Sequence, residues 1–366
     1  MRSLTVRSLS IRTFRNLVDV EVELGARFNV LSGDNGQGKT NVLEALYILA
    51  TSRSFRTSRL ADLVTAGQRT ASVRGVVLEA DDVRQQSIGM GRGVRVARVD
   101  GKRPSTLAAY AILTPTVAFH GRAMDLASGG GRERRKLLDR LALFESPGCL
   151  ADAEAYMKAL RARQRVLESR GTGAPDLEDW EALMARHGSA VSLAREAVSA
   201  RLGPEARRAF ARIGPSAASL AVEYRRGSPE SIDEFRAQLA RNRSTDRARR
   251  SSSIGPQRDD LIFLLSGLPV RETASQGQQR ALVLSLELAE IAIVGASRGV
   301  QPILLMDDVS SELDLRTTDA LFGALQSARG QVLLTTTRRD LIDASACWGL
   351  EDRRDFRVVS GRIMPG

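Results

Sequence analysis

Residues 33–40 have the types and spacing of a phosphate-binding loop. Gly33, Gly38, Lys39 and Thr40 occupy every fixed position of the pattern. Glycines let backbone N–H groups close around phosphates, the lysine reaches the outer phosphates, and the threonine hydroxyl ligates Mg²⁺. We therefore predict that ATP binds to Gly33, Asp34, Asn35, Gly36, Gln37, Gly38, Lys39, Thr40 and Asn41.

A second candidate site lies far downstream, where apolar residues 303–306 run directly into Asp307 and Asp308. This pattern is typical of a buried parallel strand that ends at a functional site. We predict that Asp307 holds Mg²⁺ opposite Thr40 and that Asp308 orients or deprotonates the attacking water. The alternative is a surface strand end with solvated acids, but a phosphate loop requires a carboxylate for its metal.

A third stretch, residues 274–280, precedes apolar residues at helical spacing. Ser275, Gly277 and Gln278 would lie at the N-terminus of that helix, where free N–H groups attract anions. The string alone is weak evidence, because serine is a common helix cap. Its position between the other two motifs makes it informative.

The elements around the loop must hold it in place. Val18, Val20 and Val22 alternate with acidic residues, which predicts a half-buried strand, and residues 28–31 predict a short strand that leads into the loop. Helical spacing follows the loop, in Val42, Leu43, Leu46, Tyr47 and Leu49. The predicted order is strand, glycine loop and helix.

The order of these motifs resembles that of ATPase heads of the ABC and SMC class. In such heads two copies sandwich ATP, so the resemblance implies that Ser275 of one copy closes on the γ-phosphate held by Lys39 of the other. Residues 311–314 resemble the D-loop that crosses this interface. The resemblance thus makes Lys39, Ser275, Asp307 and Asp308 the catalytic set of an ATP-dependent homodimer.

Further blocks narrow the resemblance to the RecF family of recombination mediators. Residues 11–17, 53–56, 129–139 and 255–261 are similar to family segments, and departures occur at Gly131, Gln257 and residues 120–122. The last departure leaves the Q-loop unassigned. The resemblance implies binding to gapped or junction DNA, slow ATP hydrolysis, and cooperation with RecR and RecO in loading RecA.

Composition favours a polyanionic partner. The 366-residue chain has a net charge of +11, and four of its 54 basic residues are lysines. Each neutralised phosphate releases counterions and adds affinity that does not depend on sequence. We predict that DNA phosphates contact Arg134, Arg135, Arg241, Arg243, Arg247, Arg249 and Arg250, the last five in a mobile, serine-rich strip. Solvated helix faces are the alternative for any one cluster.

We predict an α/β fold: an ABC/SMC-type ATPase head with an antiparallel β subsheet and an inserted α-helical lobe. The head would comprise residues 1–125 and 254–366, and the helical lobe residues 126–253. Two distant cysteines and the lack of a long apolar segment favour a cytoplasmic protein without membrane segments. No long heptad run is present, which argues against a true SMC protein.

Two other functions remain open at this stage. An ATPase subunit of an ABC transporter would share the phosphate loop, but transporters usually carry histidine at the switch position, where this chain has threonine. A nucleotide-binding scaffold without useful turnover would retain the loop and lack only efficient hydrolysis.

Overall fold

The computed structural model describes residues 1–91, 93–215, 218–308, 330–338 and 353–366. It divides the chain into two compact units, one of Met1–Ala123 with Glu290–Gly366 and the other of Met124–Ala289. No helix among the described residues is long and apolar enough to cross a membrane.

The first unit contains two sheets. Its strands, in chain order, are β1 Leu4–Phe14, β2 Leu17–Glu23, β3 Phe28–Ser32, β4 Thr70–Glu79, β5 Asp82–Gly91, β6 Val94–Val99, β7 Thr116–Phe119, and then, after the three strands of the second unit, β11 Ile303–Met306, β12 Val332–Thr336, β13 Arg353–Val359 and β14 Arg362–Pro365. Its helices are α1 Lys39–Thr51, α2 Leu107–Ala111 and the last residues of α9 Gln276–Arg298.

The core sheet has six strands in the order β14-β13-β3-β12-β11-β7. Adjacent strands from β13 to β7 are parallel, and β14 returns antiparallel to β13. Every residue of β11 and β12 is buried, which explains why β11 is a continuous apolar run and why β12 begins with three apolar residues instead of alternating. The carboxyl ends of β3, β11 and β12 therefore lie together at one edge.

The second sheet of this unit is antiparallel, with the strand order β2-β1-β4-β5-β6. Alternating burial along β4 gives the sheet one apolar face and one polar face. Val18 departs from the predicted alternation: it is 62 % exposed, whereas Val20 is buried. The predicted antiparallel subsheet is confirmed.

Helix α1 contacts both sheets and joins their cores. Every residue from Val42 to Ala50 is buried, so the helix is enclosed on all sides, as a central helix should be. Leu43 and Leu46 share one apolar cluster with Val73 of β4 and Leu333 of β12. Because this packing fixes the helix, it also fixes the loop that precedes it.

The second unit is mainly helical and includes a small sheet. Its helices are α3 Gly131–Glu145, α4 Cys149–Arg170, α5 Leu177–Ile213, α6 Ile232–Arg241, α7 Arg243–Arg249, α8 Val270–Thr273 and the first part of α9; its strands are β8 Leu220–Arg225, β9 Asp260–Leu265 and β10 Leu268–Pro269. Tyr156, Met184 and Phe235 form part of a core made by α4, α5 and α6.

The observed division differs from the predicted lobe of residues 126–253. The compact unit continues to Ala289, because β9 pairs with β8 along its full length, from Leu220–Leu265 to Arg225–Asp260. Strand pairing between distant segments is not visible in local sequence patterns, so the sequence alone did not reveal this boundary. The sheet also makes this lobe mixed rather than wholly helical.

Candidate functional site

The phosphate loop connects the end of β3 to the start of α1. Gly33 has φ +149° and Gly38 has φ +112°, values that other residues rarely adopt. A Cβ on Gly33 would lie 2.4 Å from the Val358 carbonyl oxygen, and one on Gly38 would lie 2.8 Å from Asn16 Oδ1. Gly33 is therefore required by both conformation and space, and Gly38 by its conformation.

Lys39 lies across the base of this loop. Its Nζ donates hydrogen bonds to the carbonyl oxygens of Gly33 at 2.7 Å and Asp34 at 2.9 Å. Burial lowers the pKa of the ammonium, and the charges of Asp308, Asp307 and Asp34 oppose that shift. The Lys39 ammonium therefore interacts electrostatically with both Asp307 and Asp308.

Thr40 and Asp307 are in direct contact. Thr40 Oγ1 donates to Asp307 Oδ1 at 2.7 Å and lies 3.0 Å from Oδ2, although the residues are 267 positions apart. The Asp307 amide donates to the Phe119 carbonyl oxygen of β7 at 2.9 Å. This backbone bond at the end of the strand fixes the position of Asp307. The structure thus brings the two predicted metal ligands together.

The remaining loop residues are either exposed or braced. Asp34, Asn35 and Gly36 form the exposed tip, while Gln37 is held by the turn between β13 and β14. Its carbonyl oxygen accepts from the Gly361 amide at 2.9 Å, and its Oε1 accepts from the Ser360 amide at 2.6 Å. The backbone path of the loop is therefore fixed by a distant hairpin.

Further support comes from the turn between β1 and β2. Asn16 Nδ2 donates to the Gly36 carbonyl oxygen at 3.3 Å, and Asn16 Oδ1 accepts from Asn41 Nδ2 at 2.7 Å. Asn41, predicted to contact nucleotide, therefore also connects this turn to α1.

Sequence reasoning missed Glu44, a fully buried carboxylate on α1. Arg15 donates two hydrogen bonds to it, at 3.0 and 2.9 Å, and Arg56 approaches its Oε2 at 3.2 Å. Glutamate in a helix is ordinarily a surface residue, so the sequence carried no local signal for this site. The network joins the segments before and after the loop to α1.

Ser275 and Gln278 form a reciprocal cap at the N-terminus of α9, in the second unit. The Gln278 amide donates to Ser275 Oγ at 3.3 Å, and the Ser275 amide donates to Gln278 Oε1 at 2.8 Å. This is a capping box, which accounts for the serine and the glutamine structurally. Ser275 and Gly277 are exposed, so the helix end is accessible. Residues 311–314 lie outside the described residues.

The structure removes Arg134 from the predicted DNA-binding residues. Its side chain is buried, with bonds from Nε and Nη2 to Asp260 and from Nη1 to the carbonyl oxygens of Leu126 and Gly129. A buried guanidinium with these partners cannot reach a phosphate. Arg135 is half-buried and donates to the Asp259 carbonyl oxygen at 2.9 Å.

The predicted mobile strip is largely helical. Residues from Arg243 to Arg249 form α7, which is anchored by the buried Asp246. Arg243 is half-buried and donates to both carboxylate oxygens of Glu181, at 3.0 and 2.6 Å, so its charge is already neutralised. The exposed members of the predicted DNA-binding set are Arg241, Arg247, Arg249 and Arg250.

Comparison with known proteins gives consistent matches along the chain. Residues 5–355 match the model of the RecF/RecN/SMC N terminal domain. The DNA replication and repair protein RecF of Anaeromyxobacter sp. (strain Fw109-5) is 39% identical, with 98% of each chain covered. RecF of Geobacter sulfurreducens is 33% identical, covering 98% of this chain and 99% of its own.

Solved structures match at the level of the whole fold. A structure of the recombination mediator protein RecF with ATP has a TM-score of 0.87 and 27% identity, over 100% of this chain and 98% of its own. The Smc head domain of Pyrococcus furiosus, at a TM-score of 0.55 and 15% identity, shares the fold. The predicted fold class of an ABC/SMC-type ATPase head is confirmed, and the chain belongs to the RecF family of DNA replication and repair proteins.

Proposed function

We propose that this chain binds ATP with Mg²⁺ and that the nucleotide joins two copies into a dimer that binds DNA. The observation that carries the proposal is the contact between Thr40 and Asp307, beside the buried Lys39. A threonine hydroxyl and a carboxylate converge where a phosphate loop needs its metal. The ATP-bound structure of a RecF relative supports the same ligand.

The donors at this position fit Mg²⁺. Hydroxyl and carboxylate oxygens are hard ligands, and Mg²⁺ is held by one or two carboxylates together with substrate phosphates. The bound metal would neutralise charge on the phosphates. Thr40 and Asp307 would hold it.

Hydrolysis would use Asp308, the residue after the metal ligand. Its carboxylate would orient the attacking water or accept a proton from it. Lys39 would hold the outer phosphates in place. We propose that turnover is slow and releases DNA, as the resemblance to RecF implies.

The second half of the site would come from another copy of the chain. An exposed, capped N-terminus on the 23-residue helix α9 has no acidic residue in its first turn, so its free N–H groups and dipole can meet a γ-phosphate. Ser275, Gly277 and Gln278 would make that contact. ATP binding would thereby be coupled to dimer formation.

DNA would bind through its phosphates. The net charge of +11 and the exposed Arg241, Arg247, Arg249 and Arg250 support a basic contact surface. We propose gapped or junction DNA as the substrate, with RecR and RecO as partners in loading RecA. These finer assignments rest on the RecF family.

A salt titration tests the DNA proposal. Labelled duplex, single-stranded and gapped DNA should each bind more tightly with ATP than without it, and affinity should fall steeply as salt rises because counterions are released. Fluorescence anisotropy measures both the affinity and its dependence on salt.

Arg249→Gln should reduce the slope of log affinity against log salt by about 0.9 for each lost duplex phosphate contact. Arg208→Gln is the matched control, because Arg208 is an exposed residue of α5 outside the predicted DNA-binding set. Equal affinity with and without ATP would contradict the proposal.

Ser275→Arg tests the composite site. The larger cation would block approach of the second copy, so ATP should still bind to the monomer but no longer produce a dimer. Sedimentation velocity with and without ATP measures the assembly, and a nucleotide titration measures binding. Ser169→Arg places the same change at an exposed position near the end of α4 and should dimerise normally. A Ser275→Arg protein that still dimerises with ATP would refute the composite site.

A further inference from the structure

Thr335 contacts both Asp307 and Asp308, the two aspartates that follow β11. Its side chain is fully buried on β12, and its Oγ1 donates to Asp307 Oδ1 at 2.8 Å. The same oxygen accepts a hydrogen bond from the Asp308 amide, also at 2.8 Å. One hydroxyl therefore contacts the side chain of one acid and the backbone of the next.

Strand register places Thr335 at this point. β11 and β12 are parallel, and Met306 pairs with Leu334, so the next residue on each strand is Asp307 and Thr335. On its other side β12 pairs with β3, the strand that leads into the phosphate loop. Thr335 thus occupies the sheet edge between the loop and the acidic strand end.

The backbone conformation of Asp308 indicates why this contact matters. Asp308 has φ +50°, in the left-handed region that residues other than glycine adopt uncommonly. Such a conformation persists where surrounding contacts hold it. The Thr335 hydroxyl supplies one such contact, and it does so from a rigid, buried strand.

Threonine can perform both tasks because a hydroxyl is a donor and an acceptor. Its proton orients Asp307 Oδ1, which also accepts from Thr40. Its lone pair holds the Asp308 amide. Valine has nearly the same shape but can do neither, whereas serine retains both hydrogen bonds.

We propose that Thr335 is a positioning residue that sets the Asp307 carboxylate for Mg²⁺ and the Asp308 carboxylate for water at the same time. The inference rests on the roles proposed above for these two aspartates. Thr335 would act through these two aspartates rather than as a ligand of the metal or the nucleotide. Groups that orient metal ligands commonly affect metal affinity or activity by about 10- to 100-fold.

The test compares Thr335→Val with Thr335→Ser. Binding of Mn²⁺ in the presence of a non-hydrolysable ATP analogue is measured by electron paramagnetic resonance, and phosphate release is measured separately. In Thr335→Val the Mn²⁺ dissociation constant should rise by about 10- to 100-fold, while nucleotide affinity in EDTA stays at the wild-type value. Thr335→Ser should retain wild-type Mn²⁺ affinity, with only a lower melting temperature from the lost methyl packing.

Thr116→Val is the matched control. Thr116 is equally buried, on β7 of the same sheet, but it lies at the opposite end of the parallel strands and bonds to the Thr114 carbonyl oxygen. It should leave Mn²⁺ binding unchanged. If Thr335→Val does not fold, Thr335→Ser remains decisive, because weakened Mn²⁺ binding in that variant would refute a role carried by the hydroxyl.

Asp307→Asn and Asp308→Asn separate this inference from the proposed function. If neither change affects Mn²⁺ binding or phosphate release, the proposed metal and water roles are wrong. If both changes impair the protein while Thr335→Val binds Mn²⁺ and releases phosphate as wild type does, the proposed function stands and the positioning role is refuted.

Discussion

Replacement of Lys39 by methionine is expected to abolish ATP binding at ordinary nucleotide concentrations. Methionine fills a similar space but removes the ammonium, and each hydrogen bond to a charged group contributes about 1.5–3 kcal/mol. In the proposed complex Lys39 would donate to the outer phosphates, and loss of two such bonds would weaken ATP binding by at least about 100-fold, since about 1.4 kcal/mol is a factor of ten. Isothermal titration with ATP gives the dissociation constant, and ATP-stimulated DNA binding should disappear with it.

Lys136→Met is the matched control for this change. The Lys136 side chain is 52% exposed and pairs with Glu133 on α3, so removing its charge should leave the ATP dissociation constant unchanged. Melting temperatures of both variants report whether the fold is intact. A folded Lys39→Met protein that binds ATP as the wild type does would contradict the proposed role of Lys39 in holding the outer phosphates.

Replacement of Arg163 by methionine is expected to lower the free energy of unfolding by about 3–5 kcal/mol, the usual cost of removing one partner from a buried ion pair. Arg163 is 1% exposed. It donates to Glu181 at 3.0 Å, to Asp246 at 2.8 Å and to the Leu239 carbonyl oxygen at 2.7 Å. The substitution would leave two buried carboxylates without this guanidinium. Urea unfolding monitored by circular dichroism measures the loss.

Arg165→Met is the control for the buried site. Arg165 is an exposed residue of the same helix, α4, so its substitution should change the unfolding free energy by no more than about 0.5 kcal/mol. A comparable loss in both variants would show that helix propensity or net charge, rather than the buried pairs, determines the result.

Local patterns in the sequence predicted the phosphate loop and the strand that leads into Asp307, because each depends on a short segment of the chain. The phosphate loop needs special backbone angles at Gly33 and Gly38, and such requirements leave a direct trace in residue type. Likewise, the apolar run before Asp307 reflects a strand buried on both faces. Because parallel strands end at one edge of the sheet, the sequence also supported placing Asp307 near the loop.

Contacts between distant segments could not be predicted in this way. Arg134 belongs to a basic cluster in sequence, but its partner Asp260 is 126 residues away. The same limit concealed Thr335, whose role depends on a strand register rather than on a motif. An exposed arginine and a buried, paired one look alike in sequence, so the sequence could not show which single arginines are exposed.

The domain boundary shows the same limitation. The predicted helical lobe of residues 126–253 contains α4 and α5, but the pairing of β8 with β9 extends this unit beyond residue 253. In β2, alternation predicted the buried side of Val20 but not the exposure of Val18. A period-two pattern indicates a strand without showing how far its apolar face is covered.

The position of β3 has a consequence for how the chain is made. Its neighbours in the sheet are β12 and β13, and the hydrogen-bonded residues Asn29 and Val332 are 303 positions apart. During synthesis the strand that carries the phosphate loop leaves the ribosome long before either neighbour exists. Pairing between such distant segments forms late in folding. ATP can therefore stabilise only a nearly complete chain, and until then β3 has to avoid pairing with other exposed strands.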